Sequence, residues 1–318
     1  RDPEMSRGLG DVYKRQILFS MKKKVICVLV LYNSNVELLS KVISAILPQV
    51  DLLWISDNSI EPLHLPFIDE KTSCIIYRKM PGNIGIAAAQ NYGVRYAIEN
   101  NFDYLFFLDQ DSISPANIIN ELLLQYDYLC SNFMTVGAIG PRAFNRCENK
   151  EYRGNVKKGK KINNEITEVS ELISSASLIA ISNFEKVGLM DETLFIDGVD
   201  HEWCWRANLR MGGRFFIVET IKLSHHLGEG DRHFLWKKVP IPTCFRTYYQ
   251  YRNYFILLRR NYVPIYWKVS NGIKYMVKLF YYPLCVPPRL LYIKNIWKGI
   301  RDGIILAYRF NILPMWKK

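Results

Sequence analysis

A handful of short polar clusters carry the chemistry available to this chain. Asp109-Gln110-Asp111 directly follows the apolar run from Tyr104 to Leu108. Two carboxylates at i and i+2 in a non-helical turn can converge on one hard cation. Oxygen ligands of this kind suit Mg2+ or Mn2+ bridging nucleotide phosphates. The same triplet also fits a solvated turn that caps a helix starting near Ser114. Asp57-Asn58-Ser59 closes another apolar run, where Asp57 can accept from a nucleobase imide or a ribose hydroxyl, or close an Asx-type turn without any ligand. Asn83 to Gly93 gathers small residues (Gly85, Ala87, Ala89, Gly93) at a loop-to-helix junction, where backbone can approach a ligand and N–H groups can meet an anion. It lacks the GxGxxG pattern and the P-loop lysine, so dinucleotide or ATP binding is unsupported, and a tightly packed helix is the plain alternative.

Asp197 to Arg206 is the densest cluster, with Asp197, Asp200 and Glu202 beside Trp203, Trp205 and Arg206. If Asp200 lies at a helix start with Glu202 close by, one acid can act while the other fixes its environment, and a carboxylate facing a sugar hydroxyl is a sound general base. Acids at a helix start also simply complement the helix dipole. His225 and His226 follow a predicted strand and bring an imidazole that can complete a metal shell begun by Asp111, or serve structure alone. Tyr248, Tyr249, Tyr251, Arg252 and Asn253 interleave rings with cations; a surface helix at a membrane interface is preferred over base stacking.

The elements that position these clusters alternate. Val25–Leu31, Leu52–Ser56, Cys74–Tyr77, Asp103–Leu108 and Leu172–Ile181 read as strands, and Val36–Leu47, Ile84–Glu99 and Glu202–Met211 as helices. Arg146–Glu168 is charged and reads as a surface excursion. Such alternation predicts an α/β fold with a mostly parallel sheet, ligands lying beyond the strands' carboxyl ends. The clusters near residues 33, 58 and 110 all fall there. Residues 1–20 do not match the rest and are expected to be a non-native lead before Met21. The expected organisation is a catalytic domain over residues 21–230 and a helical, basic extension over 231–318, whose prolines separate helices.

At 318 residues and 49% hydrophobic, the chain can bury a large core. Its net charge of +12 is uneven, with seventeen Lys or Arg and a single acid, Asp302, from Arg232 onward. Seven scattered cysteines without a CxxC pair argue against a disulfide scaffold or structural zinc and for a reducing, cytoplasmic setting. No apolar run reaches the ~18–20 residues of a spanning helix.

In this order, Val30–Asn33, Asp57–Ser59, Asn83–Gly93, Leu108–Ser112, Phe195–Arg206, His225–Gly228 and Tyr248–Asn253 resemble the family 2 glycosyltransferases, and within them the rhamnosyltransferases. Gly299–Gly303 is similar to the family's tail. The resemblance implies a GT-A fold (a Rossmann-like, mostly parallel sheet flanked by helices), a nucleotide-diphosphate sugar donor and inversion by direct displacement. It implies nucleotide-sugar contacts at Tyr32, Asn33, Asp57, Asn58, Asn83, Gly85, Asn91 and Asp109. Mg2+ or Mn2+ would sit at Asp111 and His225, and Asp200 would be the base, supported by Glu202 and Arg206. The implied donor is dTDP-L-rhamnose; the acceptor is a lipid-linked glycan at the inner, cytoplasmic face of the cell membrane, approached by the basic extension. No nucleic-acid partner is expected. Gly198 stands where an aromatic is common, and His201 where an aliphatic is usual. The rivals are a sugar-1-phosphate nucleotidyltransferase, which wants a Gly-rich basic loop that Val25–Asn35 lacks, and a non-catalytic basic protein binding nucleic acid or membrane. The presence of Asp57, Asp111 and Asp200 weighs against the second.

Overall fold

The computed structural model describes residues 23–63, 65, 73–132, 134–145, 150–151, 159–224, 231–234 and 237–309. The expected lead at 1–20 and His225 lie outside them. β1 (Val25–Leu31) is buried along nearly its whole length, as a strand covered on both faces must be. Its side chains alternate between two cores. Cys27, Leu29 and Leu31 join one, Ile26 and Val28 the other. α1 (Val36–Ile46) starts where the Asn35 side chain accepts from Leu38 N, and buries Leu39, Val42, Ile43 and Ile46 in the first core. Each such fully buried aliphatic side chain contributes roughly 2 kcal/mol.

β2 (Leu52–Asp57) and β3 (Ile75–Lys79) extend the sheet in parallel on one side of β1. α2 (Ile86–Glu99) covers the second face, and Gly93 lets it do so: a Cβ there would stand 2.6 Å from a Val28 methyl. β4 (Tyr104–Asp109) pairs in parallel on the other side of β1, and α3 (Ile118–Ser131) returns over the first core. Beyond β4 the sheet becomes mixed. β5 (Val136–Asn145), β6 (Lys150–Glu151), β7 (Lys160–Lys161), β8 (Ile166–Val169) and β9 (Leu178–Ala180) follow in sequence. The order across the sheet is β3-β2-β1-β4-β9-β5-β10-β8-β7, where β10 is Arg214–Ser224.

Between β9 and β10 lie α4 (Ile181–Val187) and α5 (Val199–Met211). The strand expected over Leu172–Ile181 is therefore only three residues long. Upstream of it Ala176 is left-handed and Ser177 N turns back to Ser174 O, while Ile181 already begins α4. Of the excursion expected at Arg146–Glu168, residues 146–149 and 152–158 lie outside the described residues, and its end from Ile166 belongs instead to β8, which pairs antiparallel with β10 and buries Ile166.

After β10 come a hairpin, β11 (Asp231–Phe234) with β12 (Lys237–Pro240), and three helices, α6 (Cys244–Leu258), α7 (Ile265–Cys285) and α8 (Arg289–Arg309). Tyr251, Tyr282, Val286, Tyr292 and Ile296 form a small core among these helices. Gly299 and Gly303 bring α8 onto α6: a Cβ at either would lie 2.5–2.6 Å from the carbonyls of Tyr248 and Arg252. No described helix is long and apolar enough to cross a membrane. The described cysteines are free thiols.

Candidate active site

The acids at the sheet's edge are placed by register. Asp57 pairs beside Leu31 and Asp109 beside Val30, so β2 and β4 present them on either side of β1, roughly 10 Å apart. Asp57 is fully buried. Its carboxylate accepts from Ser59 N at 2.9 Å, Leu63 N at 3.2 Å and the Tyr77 hydroxyl at 2.5 Å. Burial pushes its pKa up; the hydrogen bonds from Ser59, Tyr77 and Leu63 outweigh that and hold it below the usual carboxylate range.

Gln110, between the two acids of the β4 turn, ties that turn to the end of β1. Its Oε1 accepts from Tyr32 N at 2.8 Å and the Ser34 hydroxyl at 2.5 Å, and its Nε2 donates to Tyr32 O. Asn33, left-handed at φ 47°, donates its N–H to Ser59 Oγ. The three clusters near 33, 58 and 110 are thus one hydrogen-bonded rim. Asp111 stands half-buried in the same turn.

Asn58 carries the rim toward α2. Its Nδ2 donates to Gly85 O at 3.1 Å, while its buried Oδ1 has no partner among the described residues. Asn83 Oδ1 accepts from Gly85 N. Gly85 has φ 85° and lies so close to Phe195 that a Cβ would meet its ring at 2.6 Å. Ile86 N then donates to Phe195 O at 2.8 Å, joining the small-residue loop to the segment before α5. Asn91 faces inward, exchanging hydrogen bonds with the backbone of Met190 and donating to Glu192. It staples α2 to that segment.

Phe195 and Asp197 are both left-handed, a conformation costing an ordinary residue ~1 kcal/mol or more. Helix α6 holds them there. Asn253 Nδ2 donates to the carbonyls of Leu194, Ile196 and Asp197 at 2.7–2.8 Å, and Arg252 to those of Thr193 and Leu194. The Phe195 ring stacks on Tyr249 at 4.6 Å. The surface, membrane-facing helix expected at Tyr248–Asn253 is overturned. Tyr251, Arg252 and Asn253 are buried, Arg252 and Asn253 because their polar groups donate to carbonyls of this loop and Tyr251 because it packs in the small helical core.

Sequence reasoning missed Arg246, one turn before that motif. Its guanidinium makes a bidentate pair with Asp197, at 2.6–3.0 Å. The hydrogen bond to Asp197 raises its pKa against the effect of burial, and the fields of Asp197, Asp200 and Asp109 add to it. Arg246 thus ties α6 to the segment that leads into α5. The only hint in the sequence is a cation between Phe245 and Thr247, which nothing there connects to a partner 49 residues away.

Asp200 lies half-buried in the first turn of α5, its Oδ1 accepting from His201 N at 2.9 Å. The His201 ring leans on Trp205. Glu202, two residues on, occupies the opposite face of the helix. It is 1% exposed and bound by Arg206 at 2.8 Å, by the Tyr262 hydroxyl at 2.6 Å and by Arg260 at 3.2 Å. Arg206 also donates to the carbonyls of Val187 and Leu189. Glu202 and Arg206 thus anchor α5 to α4 and to the turn after α6. A separate cleft, lined among others by Glu168, Trp205, Arg214 and Tyr262, contains none of the predicted ligands. Among the described residues no three His, Cys, Asp or Glu groups come together closely enough to hold a metal. Asp109 and Asp111 do supply two carboxylates in one turn, the oxygen-only donor set that Mg2+ and Mn2+ favour.

A parallel sheet with acids at its carboxyl edge, faced by a helix carrying a further acid, defines a GT-A glycosyltransferase architecture. The chain belongs to glycosyl transferase family 2, the family of inverting nucleotide-sugar glycosyltransferases, whose model matches residues 26–187. It is 34% identical over 255 residues to the dTDP-rhamnosyl transferase RfbF of Shigella flexneri, covering 77% of this chain and 83% of that one. The crystal structure of GalNAc-T7 with UDP, GalNAc and Mn2+ superposes with a TM-score of 0.55 at 14% identity, a likeness of fold. The match covers 92% of this chain but spans only 58% of that structure's length. Family membership sets aside the nucleotidyltransferase and the non-catalytic alternatives.

Proposed function

We propose that the chain transfers L-rhamnose from dTDP-L-rhamnose to a hydroxyl of a lipid-linked glycan at the inner face of the cell membrane. The donor reading rests on the relatedness to a dTDP-rhamnosyl transferase over most of both chains. The site reading rests on one observation: the sheet-edge rim that carries Asp57 and Asn58 is joined, through Gly85 and the Ile86 N–H, to the Phe195 carbonyl in the segment leading into the helix of Asp200.

In this reading the donor lies along the rim from Tyr32 to Asn83, with its base near Asp57 and Asn58. Asn58 Oδ1 is an acceptor in search of a donor, and leaving it unpaired costs about 1–3 kcal/mol. Gly85, whose missing side chain makes room for Phe195, shapes the loop beside them, and Asp109 faces the ribose. Asn91, bonded inward, keeps α2 in register behind them. Asp200 removes the proton of the acceptor hydroxyl as its oxygen bonds the anomeric carbon and the bond to the donor phosphate breaks, which inverts the centre. Asp111 and His225 would hold Mg2+ or Mn2+. When bound, that cation supplies positive charge against the departing nucleoside diphosphate.

A donor screen tests the first step: dTDP-rhamnose should be consumed, and its survival while a UDP-hexose disappears would refute the donor. Isothermal titration of dTDP-rhamnose with and without Mn2+ tests the cation. Asp111→Asn should abolish the metal-dependent gain in affinity.

A further inference from the structure

We propose that the outer face of α7 is the seat by which this chain lies on an anionic lipid bilayer. This rests on the reading of the acceptor as lipid-linked and names the surface that brings the enzyme to it. Ile265, Val269, Ile273, Met276, Phe280 and Leu284 are each 55–73% exposed. Their spacing of three and four residues places them within about 100° of one another around the helix, a continuous apolar stripe roughly 29 Å long. Of the α7 side chains only Tyr282 is buried. An unpartnered stripe of this length on a water-soluble surface calls for an apolar neighbour.

Charge identifies that neighbour. From Ile265 to Arg309 the chain carries eight Lys or Arg and one acid. The acid, Asp302, is occupied by the Tyr248 hydroxyl and Arg301. Lys268 and Lys274 lie on the two flanks of the stripe. Lys274 is exposed, and the Lys268 ammonium also donates to Arg260 O. On α8, exposed Lys294, Lys298 and Arg301 stand among Leu290 and Trp297, which are 82% and 60% exposed. The partner surface is therefore apolar inside and negative outside. A second copy of the chain does not fit, since a two-fold pairing would set these cations against their own images. An anionic bilayer does. The stripe enters the acyl boundary while the lysines on its flanks reach the phosphates, and with Lys268 and Lys274 beside it the helix lies in the interface rather than across it.

Co-sedimentation of the full chain with vesicles of phosphatidylcholine, alone or mixed with phosphatidylglycerol, tests the seat. The wild-type chain should sediment with the mixed vesicles, less so at high salt, and stay in solution with the neutral ones. The double variant Ile273→Ser, Phe280→Ser should bind the mixed vesicles at least about tenfold more weakly at an unchanged melting temperature. Should that variant fail to fold, Ile265→Ser with Leu284→Ser, at the two ends of the stripe, reads the same face. The proposal fails if the wild-type chain ignores anionic vesicles, or if the variant sediments like it. It fails equally if light scattering shows a wild-type dimer that the variant turns into a monomer. Transfer of rhamnose to a short-chain, water-soluble acceptor is scored separately. Vesicle binding without it would defeat the donor reading alone, and transfer without vesicle binding would defeat the seat alone.

Discussion

Helices α6 and α7 are built from nearly the same kinds of residue, tyrosines, Lys or Arg, and aliphatics, yet they end in opposite environments. α6 buries Thr247, Tyr251, Arg252, Asn253, Ile256 and Leu257; α7 leaves most of its apolar side chains in the open. The difference lies in what each helix faces. The segment from Thr193 to Asp197 turns five backbone positions into a loop with left-handed residues, and its carbonyls need donors. Arg252 and Asn253 supply them, so α6 is drawn inward. Nothing comparable faces α7. Aromatic and cationic content does not decide burial; unmet backbone groups in a neighbouring segment do.

The sharpest division of labour sits next to that loop. Asp200→Asn should lower turnover by roughly a hundredfold to ten-thousandfold while dTDP-rhamnose binding survives, measured by steady-state kinetics and titration. Parental turnover would remove Asp200 from its role. Next in size is the α6 clamp. Asn253→Ala strips three carbonyls of their shared donor and should destabilise the fold by roughly 3 kcal/mol, seen in urea unfolding. An effect as small as that of an exposed α7 residue would erase the contrast between the helices. Arg246→Ala should reduce kcat about tenfold, with Arg246→Lys recovering part of it, because an ammonium keeps the charge but cannot pair bidentately with Asp197. A change confined to KM would place Arg246 in binding alone.

Smaller still are two acid-sensitive anchors. Asp191 is pushed up by burial but held below its usual pKa of 3.8 mainly by Arg260, and Asp57 is held below it by its hydrogen bonds. Their contribution is fully present above the unfolded value and drains away as pH falls through the lower folded values. Tyr77→Phe should shift the acid-unfolding midpoint upward and cost about 1 kcal/mol at neutral pH, followed by circular dichroism. Least of all, Val269→Ser on α7 should change stability by no more than ~0.5 kcal/mol, which calorimetry would check.

The central strands were legible in the sequence because burial on both faces writes them as unbroken apolar runs; 25–31, 52–56 and 103–108 each fall within a residue of β1, β2 and β4. The acids at their ends were legible for the same reason, since a strand's end locates its next residue at the sheet edge. The inward turn of α6 was not, because its partners are carbonyls, which every residue has. Glu202 and Arg206 read as chemistry from composition, but Arg260 and Tyr262, some sixty residues away, neutralise and bury that acid. The Leu172–Ile181 run looked like a strand because its apolar content is high; local turns at Ser174–Ser177 broke it.

The close approach permitted by Gly299 and Gly303 means that the last helix is wedged against the backbone that steadies the loop from Thr193 to Asp197. Even a methyl at Gly303 would shove Arg252 and be felt at Asp197, two relays distant. Anyone recombining this scaffold must move α6 and α8 as an inseparable pair, since a crossover between them would leave the segment ahead of α5 slack.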